Sequence, residues 1–183
     1  MTKGGKILVG LALVGIGAAG RLLPHAWNFT PLIALTLVAG RYLGRKHAIW
    51  IAMAAMLVGD FWLGFYDEKL MLVVYSSLAV VGLASKLLDG KIQAWKTLAV
   101  STGCSFFFFL ATNWAVWQFS VWYPKTLSGL LECFTAGLPF FRNALFGDLF
   151  YTAFFFSAIE FGLALDKIYQ AKGRKPAHSV IQT

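Results

Sequence analysis

Long apolar runs separated by short polar clusters organise this chain of 183 residues. A bilayer core about 30 Å thick needs roughly 20 apolar residues per helical crossing. Backbone within it must satisfy its own hydrogen bonds, which favours helices. Six such runs can be drawn, at 7–23, 29–43, 48–66, 70–88, 97–118 and 143–165. The second is short and follows Asn28-Phe29-Thr30-Pro31, where Thr30 has the chemistry of an N-cap and Pro31 that of a first-turn residue. The pattern predicts an all-α, integral membrane six-helix bundle in one domain, with a basic tail over 166–183.

Composition strengthens the membrane reading. The chain is 58% hydrophobic and 13% charged, where a soluble domain carries about 25% charged residues. The net charge of +8 is explained by topology rather than by nucleic acid. If the N-terminus lies inside, only Arg21, Lys69, Lys125 and Arg142 of the 16 basic residues fall on the outer side, and the other 12 fall on the inner side. Basic residues collect on cytoplasmic loops, so the expected orientation is N-in/C-in. Lys3, Lys6 and the apolar run that follows also have the form of a signal peptide, but hydrophobicity resumes at Leu22-Leu23, which favours a retained first helix.

The outer connection between the fifth and sixth runs is about 24 residues long, and a connection of that length is commonly functional. With its flanks it carries Trp114, Trp117, Trp122, two prolines, Arg142 and Asn143. These residues read as the lid and wall of a small-molecule site. Three polar groups lie at similar depth in the outer half: Asp60 in the third run, Asn113 in the fifth and Asp148 in the sixth. A carboxylate within the bilayer costs about 2.5–3.5 kcal/mol on insertion scales, so it should face the bundle interior with a partner or water. Arg21 and Arg142 can supply the compensating charge, either fastening helices together or meeting an anionic ligand group. Five of the seven tryptophans fall on the outer side, more than an interfacial belt alone requires. His25 and Asn28 stand at the expected entrance. Leu23-Pro24 and Asn28 are echoed by Leu138-Pro139 and Asn143, which predicts two outer re-entries kinked alike. The Phe106–Phe109 run reads as lipid or core contact, and Glu160 as a group that snorkels or pairs with an inner basic residue.

Gly15 and Ala19 form a small-xxx-small pair in the first run, suited to close helix packing within the bundle or against a separate membrane subunit. Cys104 and Cys133 make no metal or redox spacing, and His25, His47 and His178 are too scattered for a metal triad. Neither a phosphate loop nor a H-E-x-x-H or G-x-S-x-G motif is present, so no enzyme, cofactor or metal is expected.

The segments Arg21-Leu22-Leu23-Pro24-His25-Ala26-Trp27-Asn28-Phe29-Thr30-Pro31, Gly59-Asp60-Phe61-Trp62-Leu63-Gly64, Asn113-Trp114-Ala115-Val116-Trp117 and Pro139-Phe140-Phe141-Arg142-Asn143 resemble a family of small bacterial membrane proteins. That family is grouped with the substrate-binding S-components of energy-coupling-factor (ECF) vitamin transporters. The resemblance implies a bundle in the bacterial cytoplasmic (inner) membrane that binds a vitamin-like micronutrient from outside. It also implies that Gly15 and Ala19 could dock a transmembrane coupling subunit joined to an ATPase pair, although S-components typically carry an alanine pair there. The expected function is a substrate-binding subunit or solitary carrier. The alternatives are a proton-coupled secondary transporter using Asp60 or Asp148, and a non-transport assembly subunit.

Overall fold

A computed structural model describes residues 2–24 and 27–173, with side chains to residue 170. Helix is its only regular secondary structure among the described residues. The elements are α1 (Lys3–Leu22), α2 (Leu32–Tyr42), α3 (Arg45–Leu63), α4 (Glu68–Ala84), a 3-10 turn (Ser85–Leu88), α5 (Ala94–Phe119) and α6 (Leu127–Gly173). All but α2 are long and apolar enough to cross a membrane. Large apolar side chains stand exposed along each of them, among them Leu8, Leu57, Leu72, Phe106 and Phe154. A water-facing monomer rarely shows contiguous apolar surface on this scale; a multi-pass membrane protein requires it. The all-helical membrane bundle expected from the sequence is thus present.

The short helix α2 is the centre of the bundle. Every residue from Leu32 to Gly40 is buried, and the helix packs on α1, α3, α4, α5 and α6. Eleven residues rise about 16 Å, roughly half the hydrocarbon thickness. Glycines let its neighbours close in. A Cβ on Gly20 would overlap the Pro31 ring, and one on Gly40 would overlap the Ser85 side chain. Pro31, rather than Thr30, holds the N-cap position, and no side chain caps the helix there. Its first N–H groups therefore have no side-chain cap. Above this uncapped end the bundle has a gap.

The sixth helix differs most from expectation. Only 120–126 separate α5 from α6, so the long outer loop is in fact a tight turn followed by helix. The Thr126 hydroxyl accepts from Gly129 N–H at 3.2 Å and caps the new helix. Trp117 Nε1 donates to the Pro124 carbonyl at 3.0 Å, and Lys125 Nζ donates to the carbonyls of Trp117 and Ser120. Pro139 then sits inside α6, where its missing N–H frees the Thr135 carbonyl. Apolar surroundings tolerate such a break because neighbouring helices hold the segment. At 47 residues α6 is about 70 Å of helix, more than twice the hydrocarbon thickness, so part of it must lie beyond the apolar layer.

Candidate functional site

The gap above α2 is a half-open cavity of about 450 Å³. It lies at the end of the bundle where α3 meets α4 and α5 meets α6. Leu32 and Ile33 from the first turn of α2 form part of its wall. Phe108, Phe109, Phe140 and Phe141 supply aromatic surface, and Arg21, Asn28, Thr30, Ser105, Thr112, Asn113 and Asp148 supply the polar groups. Such a mixture, mostly apolar with a few convergent polar groups, is the usual make-up of a small-molecule site.

Asp148 is the deepest charge in this cavity, with a relative exposure of 4%. Its Oδ2 accepts from Ser105 Oγ at 2.6 Å, while Oδ1 has no partner among the described residues. Beneath it a polar seam joins α5 to α6. Ser101 Oγ and Thr152 Oγ1 lie 2.9 Å apart, and the Ser105 hydroxyl also reaches the Ser101 carbonyl at 3.0 Å. The seam arises because Ser101 and Ser105 are one helical turn apart, as are Asp148 and Thr152, so both pairs face the same interface.

Asn113 stands above this seam. Its amide Nδ2 donates to the Phe109 carbonyl at 2.9 Å, and its Oδ1 lies against Gly137 of α6. Opposite it is Gly137, and a Cβ added there would overlap Asn113 Oδ1. The missing side chain lets Asn113 and the Phe109 ring pack directly against the α6 backbone at the cavity wall. Phe109 and Phe141 stack at 4.6 Å between ring centroids, and Trp27 stacks on Phe140 at 5.7 Å. Phe29 lies over Gly147, where a Cβ would stand only 3.1 Å from Phe29 Cα. These contacts fasten the segment that links α1 to α2 onto α6.

Arg21 closes a second wall. Nη2 donates to Asp60 Oδ1 at 2.6 Å and Nη1 to the Met56 carbonyl at 2.8 Å. Tyr75 donates its hydroxyl to Asp60 Oδ2 at 2.8 Å. Asp60 is 1% exposed, so the carboxylate is fully held by this pair of donors. Gly59 makes room for the guanidinium, because a Cβ there would stand 2.7 Å from Nη1. Tyr66, in the α3–α4 connection, also lines the cavity; burial, and then the Asp60 charge, push its phenol up to about 12. It is therefore a neutral hydroxyl at neutral pH.

The expected site residues divide accordingly. Arg21, Asn28, Asn113 and Asp148 line one cavity. Asp60 stands behind Arg21 rather than on the cavity floor. Trp117 braces the α5–α6 turn through Pro124, Trp114 packs edge-on against Phe119, and Trp122 is exposed. Arg142 is exposed and, with Asn143, lies outside the cavity lining. His25 lies outside the described residues. Gly15 and Ala19 are exposed on α1, while Leu13, Gly17 and Ala18 are that helix's buried residues. The two proline segments are not alike, since Pro24 is in a non-helical connection and Pro139 is in a helix. Glu160 accepts from the Tyr42 hydroxyl at 2.7 Å instead of pairing with a basic residue. Ser105 and Gly137 carried no expectation in the sequence, and Phe108 and Phe109, expected at lipid or core, line the cavity. The four-residue spacing of Ser101 and Ser105 was the available signal for the first.

No group of three or more metal-ligating side chains occurs among the described residues. No curated protein and no solved structure matches the chain. Residues 2–170 match a family described as a family of unknown function (DUF6580), and the chain belongs to that family.

Proposed function

We propose that this protein is a membrane carrier, or the substrate-binding subunit of one, for a small vitamin-like micronutrient taken up in the cavity above α2. The observation that supports this most is the cavity itself. About 450 Å³ is large enough for a metabolite, and its wall combines phenyl faces with Asp148, Asn113 and Arg21. A helix bundle built only for support would fill such a space, since interiors pack like organic crystals. In this reading the chain is oriented N-in/C-in in a bacterial inner membrane, so the cavity opens outward. A partner module resembling the ECF coupling subunit and its ATPases would supply energy, or the carrier would act alone.

The test is enrichment from a mixture. Purified protein is incubated with a bacterial metabolite extract, desalted, and its bound fraction analysed by mass spectrometry. A compound enriched by the protein and lost in Gly137→Leu supports the carrier reading; an extract with nothing enriched contradicts it.

A second reading is favoured by one feature of Asp148. It is the buried carboxylate without a cationic partner among the described residues, whereas Asp60 is paired with Arg21. Intramembrane carboxylates of this kind often relay protons. A proton-coupled carrier would accumulate its substrate in liposomes under a proton gradient without ATP, and Asp148→Asn would abolish the gradient dependence.

A further inference from the structure

The proposed carrier function leaves the ligand's chemistry open, but the orientation of the cavity's polar groups narrows it. One oxygen acceptor stands there without a donor: Asp148 Oδ1 has no partner among the described residues. Asp148 lines the cavity with Phe108, Phe109 and Phe141.

Charge points the same way. Arg21, the basic residue in the lining, is matched by Asp60 at 2.6 Å and aims a second N–H at the Met56 carbonyl. Its charge is therefore spent inside the wall. The uncapped N-terminus of α2 contributes a partial positive charge of about one half. That does not balance the full charge of an ionised Asp148, and a buried charge without a counterpart is strongly disfavoured. A ligand that brought a cation would supply the missing partner.

We propose that the cavity selects an organic cation: a protonated amine or comparable cationic N–H donor on a flat apolar or aromatic body. The nitrogen donates to Asp148 Oδ1, and the body lies against the phenyl rings of α5 and α6. Cation–π attraction by those rings adds to the preference. This inference rests on the carrier reading, because it assumes that the cavity is a ligand site.

Three indole probes of similar shape separate the charge from the site: tryptamine (cationic), tryptophol (neutral) and indole-3-propionate (anionic). Equilibrium binding of each to the full-length protein in detergent is measured at pH 7 by isothermal calorimetry. Tryptamine is expected to bind at least tenfold more tightly than the other two. Asp148→Asn is expected to remove that advantage while leaving tryptophol binding within threefold. Asp148→Glu, which keeps the charge, should restore part of it; thermal unfolding of both variants shows whether they are folded. Tryptophol or indole-3-propionate binding as tightly as tryptamine would overturn the cation inference and leave the cavity standing as a site. Tryptamine binding that Asp148→Asn does not change, in a folded variant, would also overturn it. Failure of all three probes to bind at millimolar concentration would contradict both the inference and the carrier reading.

Discussion

Removing Arg21 tests how the wall of the cavity is held. Arg21→Ala deletes the 2.6 Å contact to Asp60 and the 2.8 Å bond to the Met56 carbonyl. Asp60, 1% exposed, would keep only the Tyr75 hydroxyl as a donor. Breaking a buried ion pair from one side costs about 3–5 kcal/mol, because the surviving charge is left uncompensated. The Arg21 side chain is 14% exposed, so cavity water relieves a part of this and a loss near the lower end, about 3 kcal/mol, is expected. Asp60→Asn should cost less, about 1–3 kcal/mol, since the remaining cation is the partner nearer to water. The double variant Arg21→Ala/Asp60→Asn removes both charges together and should lose less than the two single losses combined, with a coupling of about 2 kcal/mol. The assay is reversible unfolding in mixed micelles by titration with a denaturing detergent. Losses that simply add, or an Arg21→Ala loss under about 0.5 kcal/mol, would show that the pair is incidental to the wall.

Two further expectations are simpler. Gly40→Ala should destabilise the bundle by about 1–3 kcal/mol through its overlap with Ser85, whereas Gly103→Ala, which meets nothing within 4 Å, should be neutral or slightly stabilising in the same titration. For topology, Val121→Cys, at a position 95% exposed, should react with a membrane-impermeant maleimide added outside intact spheroplasts, and His47→Cys only after lysis. The native Cys104 and Cys133 are buried and should give little background. The reverse labelling pattern would invert the proposed orientation.

Apolar runs long enough to cross a bilayer made the helical bundle legible in the sequence, because run length is set by bilayer thickness. Two features escaped it for physical reasons. The segment 127–142 contains Gly129, Gly137 and Pro139, residues that punctuate loops in water but are tolerated in a helix held by apolar neighbours. The second is the aromatic lining. Tryptophan is conspicuous by rarity, yet Trp114, Trp117 and Trp122 serve the turn and the surface, and the cavity takes phenylalanines from the α5 run that looked like plain lipid contact. Asp60, Asn113 and Asp148, expected at a common level by counting, do not share one: Asp148 meets Ser105, eight residues and about 12 Å along α5 from Asn113, and Asp60 is off the cavity lining. Rotation about each helix axis also decided which of them reach the cavity. A shift of one residue turns a side chain by about 100°, and counting along an apolar helix does not fix that angle.

Native mass spectrometry of the protein as purified shows directly whether the space above α2 holds a ligand. Wild-type protein should carry a reproducible additional mass of a few hundred daltons, a size matched to a cavity of about 450 Å³. Gly137→Leu, whose side chain displaces Asn113 and the Phe109 ring into the cavity, should lose that mass while remaining folded, and Val121→Ala, far out on the turn, should keep it. A bound mass that persists unchanged in Gly137→Leu would place the ligand elsewhere and contradict the account.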